Sequence, residues 1–565
     1  MQTQIAPEFK GTPDGDEAEA ILRKCVHCGF CTATCPTYQI LGDELDGPRG
    51  RIYLMKQVLE GEPVTRATQI HLDRCLTCRN CETTCPSGVQ YGNLVEIGRR
   101  IVDERVERPA SERAMRWLLK EGLTSPLFAP AMKLGQALRP LLPATLRNKV
   151  PAAAPRGAHR WPTRRHDRTM LMLAGCVQPA MMPNINSATA RVLDAAGIQT
   201  VLADKAGCCG AIRLHLNDHD GGLADMRRNI DAWWPYVEGR DGQAPVEAIV
   251  MNASGCGVTV KDYGHALARD AAYADKARRI AELTVDLSEL LPDLLPALKN
   301  RLGMGDGAAR ADHGSPGAAR RQAADAGPTP GQAPGATAAD AHRSAAESAT
   351  VSTATSVPVP GLTGAAIAGG GPTAVVSGPD GAVATTDPLT HARGSDADTR
   401  GPTAAPGAAA GAATGAATPS AWTAAPTVRP PPLVSGGAAR PGGGMAEPAG
   451  PVRKRLAFHP PCTLQHGQQL RGGVEQHLAA LGFEVQVAMR ESHLCCGSAG
   501  TYSVLQPEMA YTLRDRKLEH LGQLDPEVIV SANVGCIQHL QTGTTVPVRH
   551  WVEVLDDALG ESPTD

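Results

Sequence analysis

All sixteen cysteines of this chain fall into four groups, and two of those groups share one spacing. Cys25-x2-Cys28-x2-Cys31-x3-Cys35 runs into Pro36, and Cys75-x2-Cys78-x2-Cys81-x3-Cys85 runs into Pro86. Thiolates at this spacing form the ligand run of a [4Fe–4S] cubane. Three cysteines separated by two residues each can wrap one loop around three irons. The fourth lies too far along to close the same cage and, where two runs occur, serves the other cluster. The expected sets are therefore Cys25, Cys28, Cys31 and Cys85 for one cluster, and Cys75, Cys78, Cys81 and Cys35 for the other. Two such clusters would move electrons one at a time. The proline after each run turns the chain away, because its φ is fixed and its N–H is missing.

Other cysteine chemistries fit this pattern poorly. A zinc ribbon uses two CxxC pairs, not triplets closed by Cys-Pro. A disulfide framework belongs to small secreted domains, and no secretory signal layout precedes these cysteines. A thioredoxin-like site needs a single CxxC beside a βαβ unit. His27, inside the first run, is read as a neighbour of the thiolates and not as a ligand.

The remaining eight cysteines lie in two segments that resemble each other. The first places Cys176, then Cys208-Cys209-Gly210, then Cys256; the second places Cys462, then Cys495-Cys496-Gly497, then Cys536. Thirty-one residues separate Cys176 from Cys208, and 32 separate Cys462 from Cys495. Short apolar runs (LMLAG, AIVMN, EVIVS) read as buried strands alternating with helical patterns, which argues for βαβ units around a parallel sheet. In an open α/β sheet the loops after the strands' carboxyl ends meet in one crevice, so three loops can gather four thiols. These eight are candidates for further cluster or metal ligands or for redox thiols, with buried packing cysteines as the plain alternative. The glycine after each pair is expected to give the backbone freedom for close approach to a cluster or substrate.

The elements that must position these groups follow from composition. With 565 residues the chain has room for several domains. Residues 1–110 are expected to form the two-cluster domain and residues 111–165 a basic helical connector. Residues 166–302 and 451–565 are expected to form two α/β, Rossmann-like domains. Residues 303–450 are rich in Ala, Gly and Pro, with Trp422 the one aromatic residue, and are expected to be a disordered linker. The connector, with Leu141, Leu142 and Leu146 among arginines and prolines, suits either a membrane-surface segment or, preferably, packing on a partner. In the turn Asp46-Gly47-Pro48-Arg49-Gly50-Arg51, the arginines suit anionic clusters or a partner protein, and the Gly and Pro suit a plain structural turn.

A net charge of −3 gives no electrostatic case for nucleic acid. No run of 18 apolar residues occurs, so no transmembrane helix is expected. The expected location is the cytoplasm, with the inner face of the cell membrane as a site of peripheral association.

Two long stretches, CVHCGFCTATCPTYQILGDELDGPRGRIYLMKQVLEG and HLDRCLTCRNCETTCPSGVQYGNL, resemble a two-cluster ferredoxin domain. Followed by MNASGCG, PPCTLQHGQ, SHLCCGSAGTY and VRHWVEVLDDAL, they resemble the iron–sulfur subunits of glycolate oxidase, anaerobic glycerol-3-phosphate dehydrogenase and heterodisulfide reductase. Within that group the likeness is greatest to the glycolate oxidase (glycolate dehydrogenase) iron–sulfur subunits. The resemblance implies an electron-transfer chain that partners FAD-binding subunits oxidising glycolate to glyoxylate and feeds a quinone or other acceptor. No FAD motif is visible here, so no catalytic residue is expected in this chain. Heterodisulfide reductase-like domains that hold a noncubane cluster end in CxxC, whereas here the fifth positions are Thr259 and His539. His539 is thus read either as a nitrogen donor standing in for the missing thiol or as an ordinary hydrogen-bonding histidine. The rival reading, from the catalytic class, is thiol–disulfide chemistry at Cys208-Cys209 or Cys495-Cys496.

Overall fold

The computed structural model describes residues 1–143, 150–152, 159–239, 244–304 and 454–560. The expected linker, apart from its first two residues, and parts of the expected connector lie outside these residues.

The N-terminal region is helical throughout its described elements. Helix Pro13–Lys24 is fixed at its start by Thr12, whose side chain accepts from Gly15 N, and its charges run acidic to basic along the helix dipole. Helices Pro48–Leu59 and Tyr91–Arg105 pack with it around Leu22, Met55, Leu94 and Val95, all fully buried. Between these helices run the two cysteine loops. Each places a left-handed residue just before and just after its second cysteine: His27 (φ 56°) and Gly29 (φ 85°) in one, Thr77 (φ 53°) and Arg79 (φ 58°) in the other. These reversals curl the backbone so that successive thiols turn to one side. Arg79 adopts a conformation that disfavours side chains, and its guanidinium is held by Glu82 at 2.9 Å and Asp262 at 3.2 Å.

Two α/β domains follow, with the same topology. In the first, β1 (Arg168–Met172), β2 (Ile198–Leu202), β3 (Ile249–Met251) and β4 (Thr284–Asp286) form a parallel sheet in the order β2-β1-β3-β4. In the second, β5 (Arg455–His459), β6 (Glu484–Val487), β7 (Val528–Ser531) and β8 (Val548–His550) repeat it as β6-β5-β7-β8. The central strands are buried on both faces, as a parallel sheet between helices requires.

The two domains share one hydrophobic core. Helix Asn184–Ala195 packs on helix Trp551–Gly560, and Leu287–Arg301 packs on Gly473–Ala480. Ile185, Val192, Leu291 and Leu294 of one domain thereby join Phe458, Leu478, Trp551 and Leu555 of the other. Arg191 clamps Asp556 at 2.6 Å beside this seam, and Ser254 N donates to Ala532 O at 3.0 Å across it. A mainly helical N-terminal region followed by two parallel-sheet α/β domains is the architecture expected from the sequence.

Candidate iron–sulfur and cysteine centres

The structure sorts the first eight cysteines into two neighbouring cavities. Cys25, Cys28, Cys31 and Cys85 line one. Cys35, Cys75, Cys78 and Cys81 line another. Cys81 also borders the first cavity, so the two sites are contiguous. Each cavity therefore gathers three cysteines of one run and the last cysteine of the other. No carboxylate lines either cavity. Four converging sulfurs without hard oxygen donors suit an iron–sulfur cluster, so the donor set fits the group.

The two cavities differ in surroundings. Cys28 is exposed, as are its neighbours Val26 and Phe30, so the first cavity opens at the surface. His27 lines this cavity and makes a T-shaped contact with Tyr53. Burial, with the neighbouring Cys25 sulfur, pushes the Cys31 thiol up to about 11. The cysteines of the second cavity are more buried: Cys35, Cys75 and Cys81 are buried and Cys78 is half-buried. Arg51 is 1% exposed and donates to Thr37 Oγ1 at 3.0 Å and to the fully buried Asp46 at 3.3 Å. Arg99, also buried, donates to the carbonyls of Leu72 and Cys75. Arg49 and Arg51, expected in a turn, lie in the first turn of helix Pro48–Leu59: Arg51 faces the sulfur site, whereas Arg49 pairs with Glu44 at 2.6 Å beside the first cavity.

The second cavity abuts the second α/β domain. Leu76 and Cys78 pack with Cys462, Cys495 and Tyr502 in one small apolar cluster. Tyr502 donates to Arg74 O at 3.0 Å, Asn80 Nδ2 donates to His493 O at 3.4 Å, and Thr83 bonds His466 at 3.0 Å.

In both α/β domains the cysteines stand beyond the carboxyl ends of three strands. Cys176 follows β1, Cys208-Cys209 follow β2 and Cys256 follows β3; Cys462, Cys495-Cys496 and Cys536 follow β5, β6 and β7. The four thiols of each domain form a chain of contacts in that order, with Cys462 Sγ 3.9 Å from Cys495 Sγ. Gly210 (φ 98°) and Gly497 (φ 90°) make the turn after each pair. The close approach that demands glycine is to a helix: a Cβ at 497 would lie 2.3 Å from Ala510 O, and one at 210 would lie 3.0 Å from Gly222 O. The helix behind the turn is thus one reason for the glycine.

His539 is not the nitrogen brought to these thiols. Its Nε2 bonds Ala510 O at 3.0 Å and its ring stacks on Tyr511. Thr259 Oγ1 donates to Gly255 O within its own helix at 3.0 Å. The nitrogen placed beside Cys496 and Cys536 belongs to His459, which sequence reasoning missed. Its signal was a histidine ending the apolar strand run RLAFH, three residues before Cys462, where the first domain has Leu173 three residues before Cys176.

Residues 21–89 match the 4Fe-4S dicluster domain family, and residues 170–261 and 456–541 each match the cysteine-rich domain family. The chain is 41% identical to the glycolate oxidase iron-sulfur subunit of Escherichia coli K12, over 99% of both chains. It belongs to the glycolate oxidase iron–sulfur subunit family. A probable glycolate oxidase iron-sulfur subunit of Bacillus subtilis 168 is 32% identical over 52% of this chain and 69% of its own. Lactate utilization protein A of Geobacillus thermodenitrificans is 30% identical over 18% of this chain and 45% of its own. As a family member the chain is one component of an oxidoreductase, with iron–sulfur domains suited to electron transfer. Among the described residues no helix is long and apolar enough to cross a membrane.

Proposed function

We propose that this chain is the electron-relaying subunit of a complex that oxidises glycolate to glyoxylate. It accepts electrons from FAD-containing partner subunits and passes them to a quinone or other acceptor. The observation that carries this reading is the pair of contiguous four-sulfur cavities, one with an exposed cysteine and one with mostly buried cysteines, in a chain so similar to a glycolate oxidase iron-sulfur subunit.

Cys25, Cys28, Cys31 and Cys85 would hold one [4Fe–4S] cluster, and Cys75, Cys78, Cys81 and Cys35 the other. Each cluster, when bound, supplies a one-electron store. The chain's own residues set how that store is used. The exposed loop at Val26, Cys28 and Phe30 presents the first site to a partner. Arg51 and Arg99 bring positive charge to the second. Residues 1–110 would be the two-cluster domain, 111–165 the connector, and 166–302 and 451–565 the cysteine-rich domains. In the connector, helices Ala110–Thr124 and Phe128–Ala137 leave Trp117 and Leu134 well exposed, with Leu127 and Leu141 beside them, an apolar face suited to a partner subunit. The complex would work in the cytoplasm, at the inner face of the membrane where its acceptor is a quinone.

The thiol–disulfide alternative loses support from burial. Cys495 and Cys496 are 2% and 1% exposed, and Cys208 and Cys209 are 4% each, too enclosed for attack on an external disulfide.

Anaerobic purification should yield about eight irons for the two N-terminal sites. Deleting the gene should abolish glycolate-dependent dye reduction and leave lactate oxidation intact. The opposite substrate pattern would move the assignment to a lactate or glycerol-3-phosphate system.

A further inference from the structure

We propose that His459 is a nitrogen ligand, beside the thiolates of Cys496 and Cys536, of a buried metal centre in the second cysteine-rich domain. The ligand atoms of these three residues lie within 4.8 Å of one another, and all three residues are buried. Cys462 and Cys495, 3.9 Å apart, extend the same chain of sulfurs and supply the further donors.

The histidine itself points to a ligand. It is 1% exposed, yet neither ring nitrogen has a hydrogen-bond partner. Buried polar groups are ordinarily paired, so an imidazole with two orphaned nitrogens calls for an occupant. Its backbone is fully engaged at the end of β5: Ser531 donates to His459 O at 3.0 Å, and the strand pairs there with β7. The side chain is thus fixed where the cysteine loops converge.

A second observation concerns charge. Lys517 is 3% exposed, donates to Glu491 O, and is coupled electrostatically to Cys496, Cys495 and Cys462. A buried ammonium beside neutral thiols is poorly balanced, whereas beside metal-bound thiolates it offsets their negative charge. In the first domain Leu173 occupies the position matching His459 and packs in the apolar core with Cys209 and Met251. Among the described residues the duplicated domains are therefore unequal at this position.

Thiolates with imidazole select a transition metal of intermediate softness, either iron within an additional iron–sulfur cluster or a single zinc ion. The centre stands independently of the glycolate reading, because it rests on the donor set and not on the substrate.

The test uses the full chain purified anaerobically, with iron, acid-labile sulfide and zinc measured together. Nitrogen coordination is read by pulsed EPR of the reduced protein for iron, or by X-ray absorption at the zinc edge. Wild-type protein should hold nitrogen-coordinated metal beyond the roughly eight irons of the N-terminal sites. H459L, which copies the first domain, should lose essentially all of that metal and keep the eight irons. Loss of iron with sulfide identifies a cluster, and loss of zinc identifies a lone ion; either supports the site. H459C, which restores a thiol, should keep the metal and lose the nitrogen signature. Should H459L destabilise the whole chain, H459C decides alone. Wild-type protein without nitrogen-coordinated metal, or an H459C protein that keeps the signature, overturns the proposal.

Discussion

Cys75 shows how side chains around a sulfur can tune a site without touching the metal. Burial alone would raise its pKa, yet Arg51, Arg99, the Thr77 N–H at 3.4 Å and the Tyr91 hydroxyl at 3.6 Å together hold it below its ordinary value. Hydrogen bonds to a ligand sulfur favour the more negative, reduced form of a cluster and so raise its potential. Tyr91→Phe removes one such bond with little change of volume. It should lower the potential of the second site by ~20–60 mV and leave the first site unmoved, as EPR-monitored redox titration would show. An unchanged potential at the second site would mean that the hydroxyl does not engage the sulfur. The grouping of the eight cysteines was legible in the spacing, because three-residue steps leave one loop few ways to present three thiols. Tyr91, Arg99 and His459 were not legible. Each acts through proximity created by elements that lie 15 or more residues away in the chain, and no local pattern records it.

The elements that carry the second set of cysteines were readable as strands, because β1, β3 and β7 are short apolar runs with turn signals at their ends. The reason for the glycine after each cysteine pair was not readable, since it depends on which helix passes behind the turn. At Gly497 the passing group is the Ala510 carbonyl of helix Pro507–Gly522; at Gly210 it is the Gly222 carbonyl of helix His219–Glu238. Both positions have positive φ, so alanine is strained at either one. The space differs: 2.3 Å at 497 forces the helix to move, whereas 3.0 Å at 210 asks for a smaller adjustment. G210A should cost about 1–2 kcal/mol and G497A about 3 kcal/mol or more, measured by thermal or denaturant unfolding of the full chain. Equal losses would show that backbone strain alone, and not the helix behind the turn, sets the requirement.

At the scale of the molecule the repeat in the sequence correctly announced two domains of one topology. It did not announce that they would bury a single core, because each amphipathic helix alone fits equally well against its own sheet. The seam runs through Val192, Leu291, Trp551 and Leu555, with Arg191 and Asp556 closing its edge. Burying side chains of this size contributes about 1.5–3 kcal/mol each, so several across one seam outweigh the entropy of holding two pieces together. The peptide connection between the halves is then dispensable for their union. Residues 1–304 and 454–565, expressed as two separate polypeptides, should copurify in equal amounts with the iron content of the intact chain, and fragments that part on a sizing column would refute this. Cutting the chain between its two homologous domains would thus turn one subunit into two, with its electron path unbroken.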